Sequence, residues 1–358
     1  MVYYFISAKN ILAIKTNIKN FKWSFGINMP QGTKEEYENC EVKINLVMED
    51  FNDDEQVEGL GKYHYFSGLP NGDKLYYTRN LAGNRKLRIK AENFIAGEPK
   101  ITVNRNYYKF ITHRIMNLHS IGYILTDLAS LLLLKKGYAP IYCSAFKKDN
   151  STLTVFAPPN TGKTLSSMTA CMEHGAKFIA EDLAVTDGVN VYSVPWTSTF
   201  RYYSNIEQSR GLKIKNRVNK IFPPLEYFSF SQPDPITHYV EGHSILDNET
   251  VTHIAILERG DDEVSMQTES EAVRKLMNLN RYAFNYLRSP LLTAYEFFNP
   301  ELGIDEGLIN EKIILTKLVR NCDKVISVKK MNATHYTKTL LEQIKEDEVI
   351  AVTALPVF

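Results

Sequence analysis

Three consecutive residues, Gly162, Lys163 and Thr164, are the strongest candidates for chemistry in this chain. They end a turn-rich loop that begins at Ala157. Lysine and a hydroxyl residue after a glycine suit phosphate binding, because the lysine can reach the β and γ phosphates and the hydroxyl can hold Mg²⁺. The backbone N–H groups of the loop and of a following helix would surround the phosphate oxygens. This motif predicts a site for a nucleotide such as ATP.

The segments around the loop favour the same interpretation. Residues 152–156 are β-branched or aromatic and predict a strand, and residues 165–174 predict a helix that stops at Gly175. One position departs from the usual pattern, since Ala157 stands where the first glycine is expected. A chance Gly-Lys-Thr after a strand is the alternative. The residues predicted to bind the nucleotide are Asn160, Thr161, Gly162, Lys163, Thr164 and Leu165.

Two adjacent acidic residues, Glu181 and Asp182, follow the next predicted strand at 177–180. An acidic residue at such a strand end can reach a metal ion held by Thr164. A second carboxylate beside it could accept the proton of an attacking hydroxyl group. A phosphate site, a Mg²⁺ ligand and a base are the minimum that phosphoryl transfer needs. Adjacent acidic residues are also common on surface turns. A functional role is favoured here by the position of the pair after a predicted buried strand, just beyond the loop and helix.

Residues 157–164 and 174–182 together resemble the HPr kinase-like proteins, a group that shares a core with the phosphoenolpyruvate carboxykinases. The shared pattern is a Gly-Lys-Ser/Thr loop, a helix, a glycine, a short strand and an acidic pair. The resemblance implies that Glu181 is the catalytic base and that Asp182 binds the metal together with Thr164. It also implies that Lys163 acts in catalysis and that Arg201 is a basic residue near the phosphates. It covers about residues 105–357.

Two departures from the family pattern bear on function. Tyr142 stands where the family commonly has a histidine, and tyrosine cannot act as a base at neutral pH. The Glu-x-Arg-Gly signature of the bacterial regulator kinase is absent from residues 183–250. Phosphorylation of the sugar-transport carrier is therefore not expected. Kinases of peptide natural-product pathways, or kinases of small hydroxylated molecules, are better analogues.

The segment pattern predicts an α/β protein. Residues 1–105 read as short strands separated by polar turns and predict an antiparallel, β-rich accessory domain that could present the acceptor. Residues 106–358 are expected to form the nucleotide-binding domain, with a mixed sheet like that of the HPr kinase and carboxykinase group. A leucine-rich helix is predicted within 107–136 and a single strand over 138–146. Later helices are predicted at 269–287, 307–321 and 337–346, with strands at 251–258 and 324–328.

Composition narrows the partners. Lys and Arg number 42 against 41 Asp and Glu, so no net field favours nucleic acid or an anionic membrane. A basic run at 210–220 is interpreted as a solvated or phosphate-facing surface. The four cysteines are far apart, and His64, His113 and His119 are isolated, so these residues predict neither a metal site nor disulfides. The sequence has neither a secretory signal nor a membrane-spanning stretch, which predicts a cytoplasmic protein.

The preferred interpretation is a kinase that uses ATP and Mg²⁺ to phosphorylate a hydroxyl group. The acceptor would be a serine on a peptide or a small molecule, and a homo-oligomer is possible. A nucleotide-binding sensor or scaffold without catalysis is the main alternative, because Ala157, Tyr142 and Glu181 depart from the family pattern. Carboxykinase-like decarboxylation is a weaker alternative, since no second set of His, Lys and Asp is evident for another metal.

Overall fold

The computed structural model describes residues 1–19, 21, 23–25, 31–51, 63–67, 73–80, 85–112, 118–194, 236, 239–241 and 244–353. Arg201, His113, the basic run at 210–220 and the centres of two predicted turns, at 71–72 and 83–84, lie outside these residues. In the described parts of the chain the fold is mixed α/β, with strands in three sheets. Within them no helix combines the length and the hydropathy that crossing a bilayer requires.

The first sheet has eight strands in the order β3-β1-β2-β4-β8-β7-β6-β5. Its strands are β1 Tyr3–Ser7, β2 Leu12–Thr16, β3 Gln31–Gly32, β4 Val42–Met48, β5 Tyr63–Ser67, β6 Lys74–Asn80, β7 Lys86–Glu92 and β8 Lys100–Val103. The predicted antiparallel pairing is correct for five of the seven strand pairs of this sheet. It was wrong for β4, which runs parallel to both β2 and β8. Alternating hydrophobic residues indicate strands but leave their directions open, and here longer connections, one containing helix α1 (Lys34–Glu38), join the parallel pairs.

The predicted leucine-rich helix consists of two described helices, α2 (Arg105–Phe110) and α3 (Ile121–Lys135). The leucines of α3 are almost all buried and share one hydrophobic core with the first sheet. The same core includes Tyr295, whose ring stacks on Phe94 with the centroids 4.5 Å apart. The core therefore joins residues from both sides of position 105. The division into domains 1–105 and 106–358 stays a prediction.

The second half of the chain contains the other two sheets. The six-stranded sheet has the order β12-β10-β11-β16-β18-β17, and the four-stranded sheet has the order β15-β14-β13-β9. Their strands are β9 Ala139–Ile141, β10 Ser144–Lys148, β11 Ser151–Phe156, β12 Lys177–Ala180, β13 Ala184–Thr186, β14 Asn190–Ser193, β15 Asn248–Thr250, β16 His253–Glu258, β17 Glu263–Met266 and β18 Lys324–Lys329. The helices are α4 Lys163–His174, α5 Glu269–Ala283, α6 Pro290–Phe298, α7 Ile304–Asn321 and α8 Tyr336–Thr353.

The predicted single strand at 138–146 is two strands in different sheets. β9 pairs with β13 in the four-stranded sheet, whereas β10 pairs with β11 and β12 in the six-stranded sheet. Tyr142 and Cys143 make the crossing between them. All residues from Ala139 to Ala145 are buried or half-buried, so hydrophobicity alone could not reveal the change of sheet.

The six-stranded sheet is mixed, as predicted for the second half of the chain. β11, β16 and β18 are parallel, whereas β10, β12 and β17 are antiparallel to their neighbours. The carboxyl ends of the three parallel strands therefore meet at one edge. Loops at that edge are the usual place for ligands in open α/β sheets. The loop that follows β11 is the one that carries Gly162, Lys163 and Thr164.

Candidate functional site

Residues 157–164, called here the phosphate loop, comprise the loop after β11 and the first two residues of α4, and their conformation depends on Gly162. This residue has φ of 127°, a conformation that side-chain-bearing residues rarely adopt. A Cβ atom at this position would lie 2.9 Å from Cβ of Ala333 and 3.4 Å from the ring of Tyr336. Ala333 and Tyr336, the first residue of α8, therefore pack directly on the glycine. A glycine is required here both by backbone conformation and by space.

Helix α4 begins at Lys163 and ends before Gly175, which adopts the left-handed conformation with φ of 65°. Among the described residues no side chain caps its N-terminus. The N–H groups of a first helical turn have no partner within the helix, and they carry a partial positive charge. The start of α4 is therefore suited to an anion, and Leu165 lies half-buried in that turn.

The side chain of Lys163 is almost completely buried at the base of the phosphate loop. Its Nζ lies 2.5 Å from Oδ1 of Asp182 and 4.3 Å from the centroid of the Tyr142 ring. A buried ammonium group needs such partners, because an unpaired charge in the interior is costly. The cation is thus held by Asp182 and the Tyr142 ring, beside the start of α4.

The next residue, Thr164, contacts the other member of the acidic pair. Its hydroxyl group donates a hydrogen bond of 2.7 Å to Oε1 of Glu181. Glu181 is fully buried, whereas the side chain of Asp182 is 24% exposed. The two carboxylates thus differ in surroundings: one is enclosed against a hydroxyl group, and the other is paired with an ammonium group and reaches solvent.

A local turn explains how both carboxylates reach the same helix. In a regular strand, consecutive side chains point to opposite faces. Asp182 instead has φ of 61°, and the N–H group of Leu183 donates to the carbonyl oxygen of Glu181 at 2.8 Å. Aspartate tolerates this left-handed conformation better than most residues. The turn ends the alternation, so that Glu181 and Asp182 contact the adjacent residues Thr164 and Lys163.

Tyr142 forms one wall of the site, at the crossing between β9 and β10. Burial, followed by the nearby charge of Asp182, raises the pKa of its phenol above the usual value. Tyr282 lies next to it, with the ring centroids 6.0 Å apart, and is largely exposed. The Tyr142 phenol therefore stays protonated at neutral pH, and its ring packs against the ammonium group of Lys163.

Cys143, the residue after Tyr142, is close to the site but is not suited to react. Burial raises the pKa of its thiol to about 12. The thiolate is the reactive form of cysteine, so this residue is inert at neutral pH. All four cysteines are free thiols, and Cys40 and Cys143 are buried.

The sequence did not single out Arg259, which contacts the phosphate loop. The residue follows β16 at the same sheet edge, and its Nη2 donates a hydrogen bond of 3.1 Å to the carbonyl oxygen of Asn160. Asn160 itself is exposed and has φ of 60°, while Thr161 is buried. Its position directly after the predicted strand at 251–258 is the feature of the sequence that could have identified Arg259 as a candidate.

The predicted residues that the structure brings together are Gly162, Lys163, Thr164, Glu181 and Asp182. Arg201 lies outside the described residues. Among the residues that are described, no group of three or more His, Cys, Asp and Glu side chains is arranged to hold a metal ion. The hydroxyl of Thr164 beside a carboxylate nevertheless suits Mg²⁺, which takes oxygen ligands and commonly binds through one or two carboxylates together with substrate phosphates.

Comparison with models of known protein families found no match, and comparison of the sequence with curated proteins found none either. Membership of the HPr kinase-like group therefore stays a prediction from the residues at 157–164 and 174–182.

Proposed function

We propose that this protein is a kinase that binds ATP and Mg²⁺ at the phosphate loop and transfers the γ-phosphoryl group to a hydroxyl group of an acceptor. The observation that carries the proposal is the pairing of two adjacent helix residues with two adjacent acids: Lys163 with Asp182 at 2.5 Å and Thr164 with Glu181 at 2.7 Å. A loop that only bound phosphate would not need two carboxylates at its cation and its hydroxyl. In phosphoryl transfer each group has a use: the lysine for the phosphates, the hydroxyl and one carboxylate for Mg²⁺, and the other carboxylate for the acceptor proton.

The phosphates of the nucleotide would lie at the start of α4. There the N–H groups of the first turn and Nζ of Lys163 would neutralise their charge. The polar neighbours Asn160 and Thr161 border the same space, and Arg259 holds the carbonyl of Asn160. This arrangement supports the assignment of residues 160–165 to nucleotide binding.

The resemblance to the family implies that Glu181 is the base and that Asp182 binds the metal. The contacts with Thr164 and Lys163 favour the opposite assignment. We propose that Glu181, enclosed against the Thr164 hydroxyl, shares the metal site, and that Asp182 serves as the base. Bound Mg²⁺ would offset the negative charge of the phosphates. Because Asp182 is partly exposed, an acceptor can reach it, whereas Glu181 is fully buried. The assignment of Glu181 as base and Asp182 as metal ligand is the alternative that mutagenesis can separate.

In the proposed reaction the acceptor oxygen forms a bond to the γ-phosphorus, and the bond between that phosphorus and the bridging oxygen breaks. The hydroxyl proton passes to Asp182, and ADP leaves with the bridging oxygen. Lys163 must move from Asp182 toward the phosphates for this to occur, which frees the carboxylate to accept the proton. Tyr142, whose phenol stays protonated because its pKa is raised, would then offer its hydroxyl group to Asp182.

The proposal is tested with ATP that carries a labelled γ-phosphate, incubated with the full chain, Mg²⁺ and sets of hydroxyl-bearing peptides and small molecules. Transfer of label to an acceptor, identified by mass spectrometry, is expected for the wild type and is expected to fall at least about 100-fold in Lys163→Met. Lys177→Met is the matched control, because Lys177 is exposed at the start of β12. Equal transfer by Lys163→Met and the control would overturn the proposal.

One observation also favours a second candidate, a nucleotide-binding sensor or scaffold without catalysis. The short ion pair between Lys163 and Asp182 occupies both groups, and Tyr142 replaces a residue that the family commonly uses. This candidate predicts that Mg–ATP binds and that label stays in ATP with every acceptor offered. It also predicts that Asp182→Asn binds Mg–ATP as the wild type does.

A further inference from the structure

A buried polar network lies behind Tyr142, and it begins at the crossing between β9 and β10. The carbonyl oxygen of Pro140 and the N–H group of Tyr142 are both bound by one side chain, Asn280 of α5. Its Nδ2 donates to the Pro140 oxygen at 2.9 Å, and its Oδ1 accepts from the Tyr142 N–H at 3.1 Å. Asn280 therefore supplies hydrogen bonds at the place where the chain leaves one sheet for another.

The orientation of the Asn280 amide is set by Glu311 of α7. Nδ2 also donates to Oε1 of Glu311 at 2.8 Å, and Tyr286 donates from its hydroxyl to Oε2 at 2.7 Å. A reversed amide would place its oxygen against both the carboxylate and the Pro140 carbonyl, which are acceptors only. All three side chains are at most 2% exposed, so water cannot substitute for these bonds. The network thus has one arrangement that satisfies it.

The network ends at the phosphate loop. Tyr142, whose backbone Asn280 holds, places its ring 4.3 Å from Nζ of Lys163, the lysine that pairs with Asp182. A continuous chain of contacts therefore runs from Glu311 on α7, through Asn280 on α5, to the lysine and the acid of the site. A shift of about 1 Å in a group that positions reacting atoms can cost about 100-fold in rate.

We propose that Asn280, oriented by Glu311, is a positioning residue that fixes Tyr142 and thereby the direction of Lys163 toward the phosphates. The inference rests on the proposed nucleotide site. Neither Asn280 nor Glu311 touches the nucleotide in this account, and both act through Tyr142. A role limited to joining α5 and α7 to the sheets is the competing explanation, and it predicts a loss of stability without a specific loss of nucleotide affinity.

The test measures the affinity of the full chain for Mg–ATP by calorimetry, together with thermal unfolding in the absence of nucleotide. Asn280→Ala is expected to weaken Mg–ATP binding about tenfold. Asn299→Ala is the matched control, because Asn299 is also buried and donates from Nδ2 to a backbone carbonyl, that of Tyr295, at 3.1 Å. It is expected to lower the unfolding temperature and leave the affinity unchanged.

A double-mutant cycle with Tyr142→Ala shows whether the effect passes through Tyr142. If it does, the double variant binds Mg–ATP no more weakly than Tyr142→Ala alone, whereas independent effects would add. Glu311→Gln keeps an acceptor oxygen for Asn280 and replaces the acceptor of the Tyr286 hydroxyl with an N–H group that can donate to the Tyr286 oxygen. It is expected to bind within about threefold of the wild type, and Glu311→Leu is expected to resemble Asn280→Ala. If Asn280→Ala fails to fold, Asn280→Ser, which keeps a small polar side chain and adds no charge beside Glu311, replaces it.

The outcomes separate the inference from the proposed function. Absence of Mg–ATP binding by the wild type would overturn both. Binding by the wild type with unchanged affinity in Asn280→Ala, or with additive losses in the cycle, would overturn the positioning role alone. Loss of affinity in Asn280→Ala and Glu311→Leu, with non-additivity at Tyr142, supports it.

Discussion

The hydroxyl group of Thr164 donates a 2.7 Å hydrogen bond to Glu181, a carboxylate without any solvent exposure. The residue before Thr164 and the residue after Glu181 form the second contact, the Lys163–Asp182 ion pair. Adjacent residues at the start of α4 thus face adjacent acids of a tight turn, which places two carboxylates at the helix terminus that we propose binds phosphate. The contacts suggest that Mg–ATP would enter a site whose groups already face one another.

Substitution of the two acids is predicted to give different defects. Glu181→Gln should raise the Mg²⁺ concentration needed for half-maximal activity by about tenfold, because it removes a charge from the proposed metal site. Asp182→Asn should lower kcat by about 100-fold or more with little change in the Mg²⁺ requirement, since it removes the proposed base. Initial rates of transfer, measured over a range of Mg²⁺ concentrations, check both.

Asp187→Asn is a control for the acid pair, since Asp187 accepts hydrogen bonds in the β13–β14 hairpin instead. It should leave the Mg²⁺ dependence unchanged. If Asp182→Asn raised the Mg²⁺ requirement while Glu181→Gln lowered only kcat, the two roles would have to be exchanged back to those implied by family position.

Gly162→Ala is predicted to abolish nucleotide binding and to destabilise the protein. The alanine would need φ of 127° and would place its Cβ 2.9 Å from Ala333, so the loop must move. Gly175→Ala is the matched control, because it also has a positive φ, of 65°, but space around it is open. We expect the control to lose about 1 kcal/mol of unfolding free energy and to keep its Mg–ATP affinity. Chemical denaturation and calorimetry measure the two effects.

Equal effects of the two glycine substitutions would mean that the approach of Ala333 and Tyr336 to the phosphate loop has no part in shaping it. The strain at Gly162 would then be the only cause of the defect.

Glu311→Gln is predicted to change how stability depends on pH. Burial raises the pKa of Glu311 in the folded protein above its value in the unfolded chain, which is about 4.3. As the pH rises above that value the unfolded chain loses the proton first, so this residue favours folding in acid and favours it progressively less as the pH approaches the raised folded pKa. The glutamine does not titrate. Each pKa unit of the shift is worth about 1.4 kcal/mol.

The measurement is the unfolding free energy of both proteins by urea denaturation at several pH values from about 4 to 7. The stability of the wild type relative to Glu311→Gln should decline as the pH rises over this range. A difference that is constant with pH would show that Glu311 has the same proton affinity in the folded and the unfolded chain.

The sequence predicted the parts of the site that local patterns determine. The β-branched run before Ala157 is strand β11, and the Gly-Lys-Thr triplet follows it at the start of α4. The two acids follow β12, as predicted. Family position could not reveal that Thr164 contacts Glu181, because that contact depends on the left-handed turn at Asp182.

The sequence patterns did not predict the contacts between residues that are distant in the sequence. Asn280 and Glu311 lie in amphipathic helices where a polar residue normally signals a solvent-exposed face, and only the packing of α5 and α7 encloses them. The crossing at Tyr142 was hidden for a similar reason, since strands of two different sheets are equally buried on either side of it. Directions of strands in the first sheet likewise depend on connections that alternation does not encode.

The decisive measurement is calorimetric titration of the full chain with Mg–ATP, compared between the wild type and Lys163→Met. We expect one Mg–ATP bound per chain in the wild type and an affinity at least about 100-fold lower in the variant, because the variant lacks the ammonium group proposed to bind the phosphates at the start of α4. Failure of the wild type to bind Mg–ATP, or equal affinity in the variant, would contradict it.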